Sequence, residues 1–142
     1  MNDAGTAASG RGLRGVKTAM RWLPAFAWMA FIFWLSSRPL PAPAGFEIPD
    51  KIVHLSVYAV LGALLWWAAA PLGRAPAARL AVTLSALYGA SDEAHHHFVA
   101  GRSADIADWV ADIAGATVAV IIIAAVTYRR SCAPGGTKQP PP

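Results

Sequence analysis

Four long apolar runs follow one another along the chain, separated by short segments of proline, glycine and charge. They cover about residues 20–37, 52–70, 77–98 and 107–128. Each holds about 18–22 residues, close to the roughly 20 that a helix needs to cross a hydrocarbon core of about 30 Å. The runs are continuous and rich in Ala and Leu, without the period-2 alternation of a membrane strand. A helix satisfies every backbone group internally, as lipid demands. The pattern predicts an all-α, polytopic membrane protein with four transmembrane helices in a small bundle. Pro39, Pro41, Pro43, Gly45 and Pro49 break the chain after the first run. Pro71, Gly73 and Pro76 do so after the second, and Gly101, Arg102 and Ser103 after the third. Residues 1–19 read as a disordered basic N-terminus, 20–128 as the transmembrane domain and 129–142 as a disordered tail ending in three prolines.

Composition agrees with membrane burial. Hydrophobic residues are 56% of the 142 and charged residues only 14%, against roughly 25% charged in an average soluble domain. A small soluble protein needs more polar surface than this. The one cysteine, Cys132, rules out a disulfide framework. The basic residues are scattered among apolar runs, so nucleic acid is not an expected partner. A rival reading takes the first run as a signal peptide cleaved near Ala42-Pro43-Ala44. The run is long for that role and carries Trp22, Trp28 and Trp34.

Charge gives an orientation. With the N-terminus inside, Arg11, Arg14, Lys17, Arg21, Arg74, Arg79, Arg129, Arg130 and Lys138 fall inside. Only Arg38, Lys51 and Arg102 fall outside. Nine against three is a positive-inside bias, so both termini are expected in the cytoplasm of a multi-pass cell-membrane protein. Seven of the eight acids then lie toward the outside.

Those acids belong to a polar cluster. Asp50, His54 and Tyr58 are spaced four apart on the second run, with Lys51 beside them. The third run ends in Asp92, Glu93, His95, His96 and His97, and the fourth opens with Asp105, Asp108 and Asp112. At 1.5 Å per residue, Asp92 and Glu93 sit roughly 8–9 Å inside Phe98. Acids at that depth must pair, hydrate or face the bundle interior. The expected object is an outward-facing polar pocket made of Asp50, Lys51, His54, Tyr58, Asp92, Glu93, His96, Arg102, Asp108 and Asp112.

The residues Asp50-Lys51-x-x-His54-x-x-x-Tyr58, Tyr88-Gly89-x-Ser91-Asp92-Glu93-x-His95-x-x-Phe98, Gly101-Arg102-Ser103, Asp108-Trp109, Asp112 and Gly115 resemble the VanZ-like family. That family is named for a teicoplanin-resistance membrane protein, and the resemblance covers about residues 20–125. It implies a small polytopic membrane protein, with tolerance of lipoglycopeptide antibiotics for some members. In the family's Glu-x-x-Gln pattern, which starts here at Glu93, this chain has His96 in place of the glutamine.

Several chemistries fit the pocket. Arg102 at its mouth can meet a phosphate or carboxylate bidentately, which makes an anionic lipid or a lipid-linked cell-wall precursor the expected partner beside the bilayer itself. It can equally bridge to Asp92 or Asp108. A membrane enzyme acting on a lipid head group or lipid-linked glycan would use His54 as base, oriented by Asp50 or Asp108. Ser91 and Ser103 are possible nucleophiles, but neither lies in a recognisable nucleophile turn. A third reading is a small transporter or assembly subunit. His54, Glu93, His96 and Asp112 can converge as metal ligands. No HExxH motif occurs, however, and successive histidines point about 100° apart, so neither metal nor cofactor is expected. Gly62, Gly89 and Gly115 are expected to allow close helix contact. The tryptophans near run ends suit the membrane interface. The oligomeric state is open.

Overall fold

The structure, a computed structural model, describes residues 18–38 and 50–132. Residues 39–49 of the proline-rich first connection, residues 1–17 and residues 133–142 lie outside the described residues; residues 129–132, expected in the disordered tail, instead continue the last helix. Within the described residues the chain is all-helical. Helix α1 spans Leu23–Ser36 and α2 Asp50–Ala69; α3 spans Arg74–His96 and α4 Ile106–Cys132.

Local chemistry sets the helix ends. Pro24 stands in the first turn of α1, where its missing N–H costs nothing. After α2 a short 3₁₀ turn, Ala70–Leu72, leads into Gly73 at φ 95°, a conformation that L side chains resist. That glycine reverses the chain into α3. Asp105 caps α4, its Oδ1 accepting the Ala107 N–H at 2.8 Å.

Among the described residues three helices are long and apolar enough to cross a membrane: the segment Thr18–Ser36 containing α1, the segment Asp50–Leu72 containing α2, and Ile106–Arg130 within α4. Helix α3 falls short on apolarity: it carries Arg74 and Arg79, which are exposed, and Asp92, Glu93 and His96, which point inward. Ala77, Ala81, Ser85, Gly89, Asp92, Glu93 and His96 are all buried and repeat every three or four residues, one helical face. Its 23 residues rise about 34 Å. It lies beside α4 from end to end, with Arg74 Nη2 donating to the Thr127 carbonyl and Glu93 accepting the Asp105 N–H.

Helices α2 and α4 make the most intimate pair. A Cβ on Gly115 would stand 2.0 Å from the Leu55 carbonyl oxygen, and one on Gly62 would stand 2.8 Å from Ala116 Cα. Bare Cα hydrogens let the two backbones meet, the usual route to close packing in lipid. Tyr58, Leu61, Leu65 and Trp66 from α2, Ala77 and Ala81 from α3, and Val120 from α4 fill the core. Helix α1 is peripheral. It buries Ala25 and Ile32, and it is tied on by Trp28 Nε1 to the Val57 carbonyl (3.0 Å) and Tyr88 Oη to the Met29 carbonyl (2.6 Å). Leu87, Val118, Ile121 and Ile122 remain exposed on the outer surface, as lipid-facing positions are.

Candidate functional site

Charged and polar side chains from α2, α3, α4 and the α3–α4 connection gather at one end of the bundle. The rim is held by Lys51, whose Nζ lies 3.2 Å from both Asp105 and Asp108. Asp105 is doubly used: it caps α4 and takes this ion pair. The Ala107 N–H and then Lys51 hold its carboxyl below the usual range. Its own N–H donates to Glu93 Oε2 at 2.8 Å, which ties the start of α4 to the end of α3.

Beneath the rim lies a buried pair. His54 Nδ1 is 2.9 Å from Asp112 Oδ1, and Asp112 is fully buried. A carboxylate accepts, so His54 donates from Nδ1 in this contact. The expected orienting partners, Asp50 and Asp108, do not fill this role. Asp50 is exposed at the start of α2, and Asp108 is engaged by Lys51. Helical spacing gave the right face of α4 but not the depth at which it meets α2. Gly89 makes the room, since a Cβ there would stand 2.8 Å from Asp112 Oδ2.

A second chain of contacts runs through His96. Arg102 Nη1 lies 3.2 Å from His96 Nε2. Guanidinium only donates, so Nε2 accepts and the ring proton is on Nδ1, 3.1 Å from Glu93 Oε1. That last contact is an ion-pair distance without hydrogen-bond alignment, and Glu93 Oε1 is otherwise unpartnered. Where the resembling family has glutamine, His96 accepts on one side and presents a proton on the other. Arg102 Nε and Nη2 both donate to the Arg38 carbonyl, at 3.3 and 3.1 Å. The bridge from Arg102 to Asp92 or Asp108 does not form; the guanidinium anchors the chain after α1 instead.

Tyr58 and Asp92 complete the set. Tyr58 Oη donates to Asp92 Oδ2 at 3.4 Å, and both residues are buried. A half-open cleft of about 310 Å³, counting the space at its mouth, is lined by Ile32 and Ser36 of α1, Asp50, His54 and Tyr58 of α2, Asp92 of α3, and Arg102. All ten sequence-selected residues therefore lie at one end of the bundle, with Asp50 and Lys51 on its exposed rim.

Sequence reasoning missed several supports. Trp109 Nε1 donates to the Ala86 carbonyl at 2.9 Å and clamps α4 onto α3. Trp66 is a core residue, not an interfacial one. His95 pairs with Ser37 Oγ at 3.0 Å and packs on the Phe33 ring, so it faces α1 and not the cleft. An indole N–H buried in an apolar run must find an acceptor, and that was the signal available for Trp28 and Trp109.

His54, Glu93 and Asp112 each offer a ligand atom within 4.8 Å of the others, and all three are buried. Asp50, His54 and Asp108 form a second, partly exposed group with the same spacing. In comparison with known proteins, the family model described as VanZ/LLP1 matches residues 15–127. No curated protein and no solved structure matches the chain.

Proposed function

The chain belongs to the VanZ/LLP1 family, and from that premise we propose that its polar cleft faces outward and takes the anionic head group of a lipid or a lipid-linked cell-wall precursor. The observation that carries the reading is Arg102. It lines the cleft, half-buried, and no carboxylate stands within ion-pair distance of it among the described residues. Its bonds to the Arg38 carbonyl and His96 fix the guanidinium while leaving its charge uncancelled. A fixed, unneutralised cation at a cleft mouth is a site for phosphate or carboxylate. The orientation follows the positive-inside bias, with both termini cytoplasmic. A role in the cell envelope follows from a precursor met at the outer leaflet. For a family named after a teicoplanin-resistance protein, tolerance of lipoglycopeptides follows from the same contact.

Mass spectrometry of gently purified protein tests the reading. Anionic lipid is expected to co-purify with the wild type and to fall at least about tenfold in Arg102→Ala, the loss of one charge-assisted contact of 1.4 kcal/mol or more. Arg102→Lys keeps the charge but not the fork, and is expected to retain part of the lipid. Equal lipid in wild type and Arg102→Ala would remove the reading's main support.

The buried His54–Asp112 pair favours a second reading on the same site, a membrane enzyme that works on the bound head group. A histidine held by a carboxylate beside a cleft has the geometry of a general base. Transport finds less support: below Tyr58 the packed core is Leu61, Leu65, Trp66, Ala69, Ala77 and Ala81, and among the described residues no Asp, Glu, His, Lys or Arg is buried with them.

A further inference from the structure

We propose that His54, Glu93 and Asp112 together bind one divalent transition-metal ion, of the Mn²⁺ or Zn²⁺ class. The assignment deepens the head-group reading and rests on it for the ion's use, while the ion itself is read from the side chains. Three helices supply one ligand each, α2, α3 and α4, and the three ligand atoms lie within 4.8 Å of one another. A metal about 2.1 Å from every ligand needs them no more than about 4.2 Å apart, so small rotamer changes close the site.

The independent observation is a pair of orphaned oxygens. Asp112 Oδ2 is buried with no hydrogen-bond partner, and Glu93 Oε1 is buried with only His96 Nδ1 beside it, at 3.1 Å and without hydrogen-bond alignment. Asp112 is 0% exposed and Glu93 7%. Buried carboxylate oxygens without a donor are a heavy cost in water-poor surroundings. The local cations do not relieve it. Lys51 is spent on Asp105 and Asp108, and Arg102 stands beyond ion-pair distance of the buried acids. No Lys or Arg stands within ion-pair distance of Asp92, Glu93 or Asp112 among the described residues. A bound dication supplies the missing charge to both orphaned oxygens at once.

The chemistry narrows the ion. One imidazole with two carboxylates suits first-row transition metals better than Ca²⁺, which takes six to eight oxygens. His54 Nδ1 and Asp112 Oδ1 face each other at 2.9 Å, so an ion that takes both as ligands enters between them and displaces the proton they share. Three protein ligands leave coordination positions open for water or for the oxygens of an anionic head group. The alternative group, Asp50, His54 and Asp108, is less apt, because Asp108 already holds Lys51 and Asp50 is exposed.

The test uses the full chain in detergent micelles, stripped with chelator and dialysed. Mn²⁺ and Zn²⁺ are titrated separately, with stoichiometry from elemental analysis and affinity from calorimetry. One ion per chain is expected, with a rise in the thermal unfolding midpoint. Glu93→Gln and Asp112→Asn are each expected to weaken binding at least tenfold. His97→Ala, which changes an exposed histidine outside the site, is expected to bind like wild type. Circular dichroism and gel filtration establish that each variant is folded. Glu93→Asp, which keeps a carboxylate on a shorter arm, is expected to bind between Glu93→Gln and wild type. Wild-type protein that binds neither ion overturns the proposal, as does binding that Glu93→Gln leaves intact or that His97→Ala alone abolishes. Lipid mass spectrometry on the same samples separates the two readings. Metal bound without anionic lipid overturns the head-group reading alone, and lipid bound without metal overturns this one.

Discussion

Gly115 and Gly101 both need to lack a side chain, for different reasons. Gly115 has the Leu55 carbonyl where its Cβ would go, and backbone cannot step aside. Gly101 has nothing within 4 Å but sits at φ 81°. Gly115→Ala is expected to cost about 2–3 kcal/mol by wedging α2 from α4, and Gly101→Ala about 1–2 kcal/mol by backbone strain alone. Thermal or SDS unfolding in detergent measures both, and a Gly115→Ala protein as stable as wild type would contradict the contact. The sequence marked Gly62, Gly89 and Gly115 as close-approach points, and each meets another helix. It did not show what each meets. Gly89 opposes a carboxylate, not a backbone, so it belongs to the site as much as to the packing. The same gap explains His54: spacing of four put it on the polar face of α2, but only the register of α2 against α4 selects Asp112 over Asp108.

Helix by helix, what could be read in advance depended on whether one strand of sequence or two decided the outcome. The runs of α1, α2 and α4 were legible because burial in lipid is a property of each run by itself. Helix α3 was legible as a helix, yet its composition falls short of a span because it carries the exposed Arg74 and Arg79 as well as the acids and His96 of its interior face. Attachment of α1 was legible only as a mid-run Trp28 whose indole N–H needs an acceptor, not as which acceptor it finds. It depends on partners from other helices, the Val57 carbonyl that accepts from Trp28 and the Tyr88 hydroxyl that donates to the Met29 carbonyl. Trp28→Phe and Tyr88→Phe keep the ring volume and remove one hydrogen bond each, so each is expected to cost about 1 kcal/mol. The two bonds lie on different neighbours of α1, so the effects are expected to add. Hydrogen exchange of the α1 amides should accelerate in the double variant while α2 and α4 amides stay slow. Uniform acceleration across all helices would mean that α1 is integral to the core and not peripheral to it.

For the whole molecule, the structure sorts the basic residues between two ends. Arg21 donates to the Trp67 carbonyl and lies over the Trp67 ring, which places the start of α1 beside the end of α2. Arg74 reaches Thr127, so the start of α3 and the end of α4 share that end. Lys51, Arg102 and Arg38 lie at the opposite end with the acids. A bundle with Arg21, Arg74, Arg79, Arg129 and Arg130 toward one end and the acid cluster toward the other is expected to insert with the basic end in the cytoplasm. Reporter fusions after Arg74 and after Arg130 are expected to read cytoplasmic, and fusions at Gly45 and Gly101 external. The outcome bears directly on ligand class, because the cleft opens at the end that carries Arg102. If a fusion after Arg130 reads external, the cleft faces the cytoplasm. An outer-leaflet wall precursor is then out of reach, and the anion that Arg102 meets has to come from the inner leaflet.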